Sequence, residues 1–397
     1  MPKSDRIYLD NAATSWPKPA AVWDAMDDCQ RRLGASAGRA AYAEASEIEG
    51  LIRSARSGVA KLLGTKDPQH VVFAFNGTDA LNLAIFGILR RNYPRRPHVV
   101  TTVCEHNSVL RPLRALLDGN EIEVTYVGCN SFGVVDADEF IAAVRPDTRL
   151  AAIVHASNVT GAMQPVEAIA AALESYDCRL LVDAAQTAGH VDLDMNQLGC
   201  DLLAAPGHKG LLGPLGTGVL CIRAGCEREL VPFQYGGTGT HSEDDVQPES
   251  LPDRFESGNH NAPGLVGLGV AVDYLREQTI AKLRQHEVSL SSQLWNGLRN
   301  VPGVSLYGPQ DPADRCGVIS MNVAGFAPQE VAAMLDATCR IQVRAGLHCA
   351  PKMHEALGTL SMGGTVRFSV GPFNTSEEIA GTIEAVSQIA SAGMPGR

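Results

Sequence analysis

Apolar residues in the first part of the chain, to about Arg223, form short unbroken runs separated by amphipathic segments. Such runs predict strands covered on both faces, as in parallel sheets flanked by helices. The intervening segments repeat apolar residues every three or four positions, which predicts helices. The predicted strands lie at 71–75, 98–103, 121–127, 150–156, 179–185 and 201–205. The pattern predicts an α/β fold with a mostly parallel central sheet.

The segment 46–64 predicts one helix together with both of its ends. Ser46 and Glu49 have the spacing of a capping box, in which each side chain binds a free backbone N–H of the first turn. Gly64 follows the last periodic residue, where a glycine commonly ends a helix in the left-handed conformation. We therefore expect the helix to begin at Ser46 and to stop before Gly64.

The pattern changes after Gly264. Two helical segments are predicted over 264–300, followed by short strands and by helices that begin at Pro328 and Ser376. This mixture predicts a smaller α+β domain at the C-terminal end. We assign residues 16–263 to a large domain, and residues 1–15 together with 264–397 to a small one.

The charge and the cysteines limit the possible functions. The 397 residues carry a formal net charge of −11 and no basic stripe, which argues against nucleic-acid binding. The opening residues lack the apolar core of a signal peptide, and no apolar run is long enough to span a bilayer. The ten cysteines are scattered without a C-x-x-C pair. We expect a cytoplasmic protein with free thiols, no metal site and no membrane contact.

Polar residues follow several predicted strands, at the sheet edge where open α/β sheets bind ligands. Gly77 and Thr78 open a helix after the first strand, which favours a single phosphate group, although an ordinary helix start has the same pattern. His106 and Asn158 follow later strands. A histidine there is either structural or catalytic, and an asparagine is either a turn residue or a ligand contact.

Asp183 and Lys209 follow the next two strands. A carboxylate at the end of an apolar strand either caps a helix or faces a buried cation. Lys209 lies among glycines in "AAPGHKGLLGPLGTG", as a surface-loop lysine or as an amine whose pKa is lowered by burial. One ligand needs this whole series. Pyridoxal 5′-phosphate (PLP) requires a helix N-terminus for its phosphate, an aromatic on its ring, a carboxylate for its ring nitrogen and a lysine for its aldehyde.

Over nearly its whole length, the chain resembles the cysteine desulfurases of the class V aminotransferase group, which are fold type I PLP enzymes. "VRAGLHCAP" discriminates best, because relatives that transaminate have no need of a cysteine there. The resemblance rests on "YLDNAATSWPKP", "NGTDALNLAI", "EHNSV", "HASNVTGAMQPV", "LVDAAQTAGH", "GHKGLLGPLGTGVL", "RFESGNHN", "VRAGLHCAP" and "GTVRFSVGPFNTSEEI".

The resemblance implies a role for each matching residue. Lys209 would bind the cofactor covalently and move the substrate Cα proton. His106 would stack on the ring, and Asp183 would pair with the ring nitrogen. The residues implied in the remaining contacts are Gln186 for the ring hydroxyl, Gly77, Thr78 and His208 for the phosphate, and Arg367, Asn158, Ala12 and Ala13 for the substrate carboxylate.

Cys349 matches the sulfur-accepting nucleophile of the family. It follows His348, and Arg344 lies five positions earlier, so a partly exposed thiolate is consistent with the local sequence; a structural thiol is the alternative. The implied activity converts L-cysteine to L-alanine and leaves a persulfide on Cys349. Selenocysteine lyase or another C–S or C–N lyase is an alternative, as is a non-catalytic sulfur-relay scaffold. A homodimer and a sulfur-acceptor protein are implied partners.

Two positions depart from the family pattern. Pro206 stands where relatives usually carry Ser or Thr in [ST]-G-H-K, and Asn259 stands where many carry Thr in F-E-x-G-T-x-N. Both family hydroxyls contact the cofactor phosphate, the second usually from the neighbouring subunit. Proline offers neither a hydroxyl nor a backbone donor, whereas the Asn259 amide can still donate. We expect the chain to retain PLP binding with a weaker grip on the phosphate.

Overall fold

The computed structural model describes residues 6–37, 42–239, 243 and 245–393. Its strands are β1 (Ile7–Tyr8), β2 (Val71–Ala74), β3 (His98–Thr102), β4 (Glu123–Val127), β5 (Thr148–Val154), β6 (Arg179–Asp183), β7 (Leu202–Pro206), β8 (Gly218–Ile222), β9 (Val304–Tyr307), β10 (Val318–Val323), β11 (Ile341–Gln342), β12 (Arg344–Gly346) and β13 (Thr365–Ser369). Its α-helices are α1 (Ala20–Asp28), α2 (Ala43–Leu63), α3 (Gly77–Leu89), α4 (Asn107–Asp118), α5 (Ala137–Ala142), α6 (Val166–Leu173), α7 (Met195–Leu198), α8 (Ala262–Gln278), α9 (Ile280–Leu298), α10 (Pro328–Cys339), α11 (Pro351–Ala356) and α12 (Ser376–Gly393).

The central sheet has seven strands in the order β2-β8-β7-β6-β5-β3-β4. Strands β3 to β7 pair in parallel, and β8 runs antiparallel between β2 and β7. Alternate residues of β6 enter the cores on opposite faces: Leu180 and Val182 on one, Leu181 on the other. Burial on both faces accounts for the unbroken apolar runs. The predicted α/β fold with a mostly parallel sheet is confirmed.

The C-terminal part has a second, antiparallel sheet in the order β12-β13-β10-β9, with a core of its own that includes residues of α9 and α12. The N-terminal strand β1 pairs in parallel with β11, which links the start of the chain to this part. Helix α8 contains the predicted boundary at 264 and packs against α1 and α2. The division into 16–263 and 1–15 with 264–397 stays a prediction; residues 1–5 and 394–397 lie outside the described residues.

Helix α2 begins earlier than the sequence predicted. It starts at Ala43 with Tyr42 as its N-cap, and the Ser46 N–H donates to the Tyr42 carbonyl oxygen. The predicted capping box of Ser46 and Glu49 is therefore wrong: the strong helix formers at 43–45 extend the helix by one turn. The predicted end is confirmed, since Gly64 is the C-cap of the helix and adopts the left-handed conformation, with φ +76°.

The parallel strands deliver the polar residues to one edge of the sheet. Strand β6 ends at Asp183, β7 ends at Pro206 three positions before Lys209, and helix α4 begins just after His106. These ends lie at the same edge because β7, β6, β5 and β3 are consecutive in the sheet, and α4 follows β3. Within the described ranges, no helix has the length and apolarity required to cross a membrane.

Candidate active site

A cavity of about 190 Å³ lies at the carboxyl ends of the parallel strands. Sequence reasoning predicted most of the residues that line it. These are Ala12, Ala13, Gly77, Thr78, His106, Asn158, Asp183, Gln186, His208, Lys209, Cys349 and Arg367. The fold thus brings together, at a single site, residues that are more than 300 positions apart in the chain.

Lys209 follows β7 in a tightly packed turn. Its half-buried side chain lines the cavity, and burial lowers its pKa to about 8, although the Asp183 carboxylate acts in the opposite direction. The Ser15 hydroxyl donates to the Lys209 carbonyl oxygen at 2.9 Å and fixes the peptide. Gly207 is required two residues earlier, since a Cβ there would collide with Thr217. Near neutral pH the amine therefore exists partly in its neutral, nucleophilic form.

Asp183 presents a buried carboxylate at the end of β6. One oxygen accepts the Ala185 backbone N–H at 2.9 Å, and burial raises the pKa of the group. Among the described residues, no ion pair reaches this carboxylate. A buried anion without a partner is costly, so this position suits a ligand that brings a cationic nitrogen.

The N-terminus of α3 forms an anion cradle. Asn76 caps the helix by accepting the Asp79 N–H at 2.9 Å, and helix geometry leaves the N–H groups of Gly77 and Thr78 without intrahelical partners. A Cβ on Gly77 would lie 3.1 Å from Pro206 Cδ, so Pro206 forms a wall of this cradle. The Thr78 hydroxyl lies 2.7 Å from the Ser108 hydroxyl.

His106 is the N-cap of α4. Its Nδ1 accepts the Ser108 backbone N–H at 3.0 Å, which assigns the ring proton to Nε2. Burial, reinforced by the charge of Lys209, lowers the pKa of His106 to about 4. The ring is therefore neutral at physiological pH and can stack on another flat ring without adding charge.

Arg367 lies buried in β13 and points a guanidinium into the cavity. Its Nη2 donates to the Asp10 carboxylate at 2.7 Å and its Nη1 to the Asn158 carbonyl oxygen at 3.1 Å. Within the described part of the chain, Nε has no hydrogen-bond partner. A guanidinium held in place with donors to spare is a natural receptor for a substrate carboxylate.

Cys349 is exposed at the cavity rim on a constrained loop. His348 and Cys349 have φ values of +49° and +59°, a left-handed conformation that non-glycine residues rarely adopt. Two hydrogen bonds hold it: Asn158 Nδ2 donates to the His348 oxygen at 2.6 Å, and the Asn107 N–H donates to the Cys349 oxygen at 2.7 Å. Strain maintained in this way is typical of functional positions.

The remaining predicted residues differ in their placement. Gln186 donates to the Ala12 carbonyl oxygen at 3.1 Å, which ties the N-terminal segment to the cavity floor. The His208 carbonyl oxygen accepts a hydrogen bond from the Lys18 ammonium at 2.7 Å. Asn259 does not join the site. It is exposed and lines separate surface cavities beside Glu256.

Sequence reasoning gave no role in the site to Asp10, Lys18 or Ser108. Asp10 holds Arg367, Lys18 is buried against the backbone of the Lys209 turn, and Ser108 contacts both Thr78 and His106. Each lies within a motif that was recognised for another residue. Arg344 was noted only as a neighbour of Cys349, although it also lines the cavity.

The chain belongs to the class-V aminotransferase family, whose sequence pattern matches residues 7–381. A probable cysteine desulfurase of Methanothermobacter thermautotrophicus is 35% identical over 392 residues, covering 98% of this chain and 96% of that protein. Another, from Halalkalibacterium halodurans, is 32% identical and covers 95% of this chain and 91% of that protein.

The fold of this chain is similar to the folds of two solved structures. One is a cysteine desulfurase from Thermococcus onnurineus, with a TM-score of 0.90 and 30% identity, covering 98% of this chain and 95% of that one. The other is a cysteine desulfurase from Escherichia coli, with a TM-score of 0.88 and 27% identity, covering 98% and 96%.

The cofactor of this family is PLP, and the cavity fits it. The buried Asp183 carboxylate, which no ion pair reaches within the described ranges, suits the ring nitrogen. The neutral His106 suits the ring face, and the N-terminus of α3 suits the phosphate. The lowered pKa of Lys209 suits an aldehyde. When bound, PLP supplies an electron sink for breaking bonds at the α- and β-carbons of an amino acid.

Pro206→Ser should tighten PLP binding. The substitution places a hydroxyl on the wall of the cradle, and a hydrogen bond to a charged group contributes about 1.5–3 kcal/mol, or roughly a tenfold or greater fall in Kd. Equilibrium titration of the apo-protein measures it, with Pro206→Ala as the control: it restores the same backbone N–H as Pro206→Ser but adds no hydroxyl. Equal affinity in wild type and Pro206→Ser would show that the family hydroxyl is not missed here.

Proposed function

We propose that the chain is a PLP-dependent cysteine desulfurase that converts L-cysteine to L-alanine and retains the sulfur on Cys349. The observation that carries the proposal is the exposed Cys349 at the rim of the cavity that also holds Lys209 and Arg367. Transamination requires no thiol at that place. The relatives described above are named as cysteine desulfurases, which supports the same activity.

Different residues of the site bind the substrate and move its proton. Arg367 binds the substrate carboxylate through its free donors, assisted by Asn158 and the backbone at Ala12 and Ala13. Lys209 Nζ, with its lowered pKa, takes the proton from the substrate Cα and returns a proton to the product.

Cys349 performs the sulfur step. The thiolate attacks the substrate sulfur, so an S–S bond forms while the Cβ–S bond of the substrate breaks. The electron pair of the broken bond stays with the carbon fragment, which takes up protons and leaves as alanine. Cys349 is left as a persulfide, and no external oxidant or reductant is consumed.

The test is a parallel assay of alanine and sulfide from L-cysteine, together with mass analysis of the Cys349 peptide. We expect alanine to form, with that peptide heavier by one sulfur atom before reductant is added. Alanine without sulfur on Cys349 would contradict the proposal. Selenide release from selenocysteine that survives Cys349→Ala, while sulfide release from cysteine is lost, would favour a lyase.

Three accompanying proposals rest on family resemblance and sequence. A homodimer is proposed because relatives complete the phosphate site across subunits, and the exposed Asn259 is the residue proposed for that contact. A sulfur-acceptor protein is proposed as the partner of the Cys349 persulfide. A cytoplasmic location stays a prediction from the sequence.

Arg367→Lys should raise the KM for L-cysteine about tenfold or more and leave PLP affinity unchanged. Lysine keeps the positive charge, but it lacks the planar fork that binds a carboxylate through two parallel hydrogen bonds. Steady-state kinetics and cofactor titration measure the two effects separately. A fall in PLP affinity with an unaltered KM would assign Arg367 to the cofactor.

A further inference from the structure

The cradle at the start of α3 has lost one hydroxyl of the family pattern. Pro206 lies against Gly77, with only 3.1 Å between its Cδ and the position of a Cβ on that glycine. Proline has neither a side-chain donor nor a backbone N–H to turn towards a phosphate. If the cradle binds a dianionic phosphate, another donor near Thr78 would compensate for this loss.

Ser108 is such a donor. It is buried, with 7% of its surface exposed, and it lines the same cavity as Gly77, Thr78 and Pro206. Its hydroxyl oxygen lies 2.7 Å from the Thr78 hydroxyl oxygen, and Thr78 belongs to the first turn of α3. The two hydroxyls therefore approach the cradle from two different helices, α3 and α4.

The hydroxyl of Ser108 is free to change partners. It lies 2.8 Å from His106 Nδ1, but that nitrogen also accepts the backbone N–H of Ser108 at 3.0 Å. Two donors thus compete for one lone pair, and the backbone N–H cannot rotate. The hydroxyl hydrogen can turn towards an anion while His106 keeps its hydrogen bond and its tautomer.

We propose that the Ser108 hydroxyl binds the cofactor phosphate beside Thr78 and offsets part of the binding lost with the contact that Pro206 cannot make. The inference deepens the proposed function and depends on its cofactor. The backbone N–H of Ser108 still donates to His106 Nδ1, so Ser108 links the phosphate site to the residue that faces the ring.

The test compares the apo-protein's affinity for PLP with its affinity for pyridoxal, which lacks the phosphate. In Ser108→Ala the Kd for PLP should rise about tenfold or more, the usual effect of losing a hydrogen bond to a charged group, whereas the Kd for pyridoxal stays constant. Ser108→Thr retains the hydroxyl and should keep the wild-type ratio of the two affinities. Ser291→Ala, a buried serine in α9, is the matched control.

A double variant provides the complementary result. Adding Pro206→Ser to Ser108→Ala should restore most of the PLP affinity, because it puts a hydroxyl back on the other wall of the cradle. An equal loss of PLP and pyridoxal affinity in Ser108→Ala would overturn the proposal and assign Ser108 to His106 alone. If Ser108→Ala leaves both affinities at their wild-type values, while the wild type binds PLP and converts cysteine, this inference is overturned and the proposed function stays intact. A wild type that binds no PLP would overturn both.

Discussion

Lys209→Ala should lose the visible absorbance of the enzyme-bound cofactor and lower kcat for alanine formation by about 10²–10⁴-fold. The fall in kcat is expected because the pKa of this amine is lowered to about 8, which gives the wild type a base at neutral pH. The absorbance is lost because alanine has no amine to bind the cofactor. Lys209→Arg should fail to the same degree, because a guanidinium keeps the charge but does not release its proton. Absorbance spectra and steady-state kinetics measure the two losses.

A second lysine supplies the critical comparison. Lys18 is also buried, and burial lowers its pKa to about 7, but its ammonium donates to Ser15 Oγ and to the His208 carbonyl oxygen and does not line the cavity. Borohydride reduction followed by peptide mapping should place the trapped cofactor on Lys209. Label on Lys18 would contradict the assignment. The ammonium of Lys352 packs over the Tyr126 ring, and neither residue lines the cavity. Lys352→Ala should therefore behave as wild type.

Cys349→Ala should abolish sulfur transfer while the cofactor stays bound. The expected fall in kcat is on the order of 10³-fold or more, comparable with the loss of a catalytic nucleophile in other enzymes. PLP affinity should not change, because the Cys349 side chain is exposed and has no part in the proposed cofactor contacts. Alanine, sulfide and cofactor titration are measured on the same preparation.

The chain offers a matched control for this substitution. Among the described residues Cys339 and Cys349 are the two exposed cysteines, but Cys339 ends helix α10 and does not line the cavity. Cys339→Ala should keep full activity. Similar losses in the two variants would point to a general role of exposed thiols, and persulfide on Cys339 would move the nucleophile to that residue.

The sequence predicted six of the seven strands of the central sheet and the placement of Asp183, His106 and Lys209, for one physical reason. It did not predict β8, the antiparallel strand between β2 and β7. Buried parallel strands have unbroken apolar runs, and parallel strands bring their carboxyl ends to one edge. Position after a strand thus translates directly into position in space. The start of α2 was missed because Ser46 and Glu49 imitate a cap inside a helix that neighbouring residues extend.

Contacts between distant segments were not predictable in the same way. Asp10 and Arg367 are separated by 357 positions, and the sequence around either residue does not indicate that the two form an ion pair. Asn158 was expected only to place a substrate carboxylate, but its amide also holds the Cys349 loop. Such contacts depend on the packing of the C-terminal part against the central sheet, which a single sequence does not encode locally.

The constrained loop at Cys349 limits how far its thiol can move. Its peptide is tied to the first residue of α4, and its left-handed backbone leaves little slack on either side. These constraints keep the Cys349 thiol close to the rim of the cavity. If Cys349 holds the sulfur as proposed, an acceptor would have to bind at the mouth of this cavity to receive it.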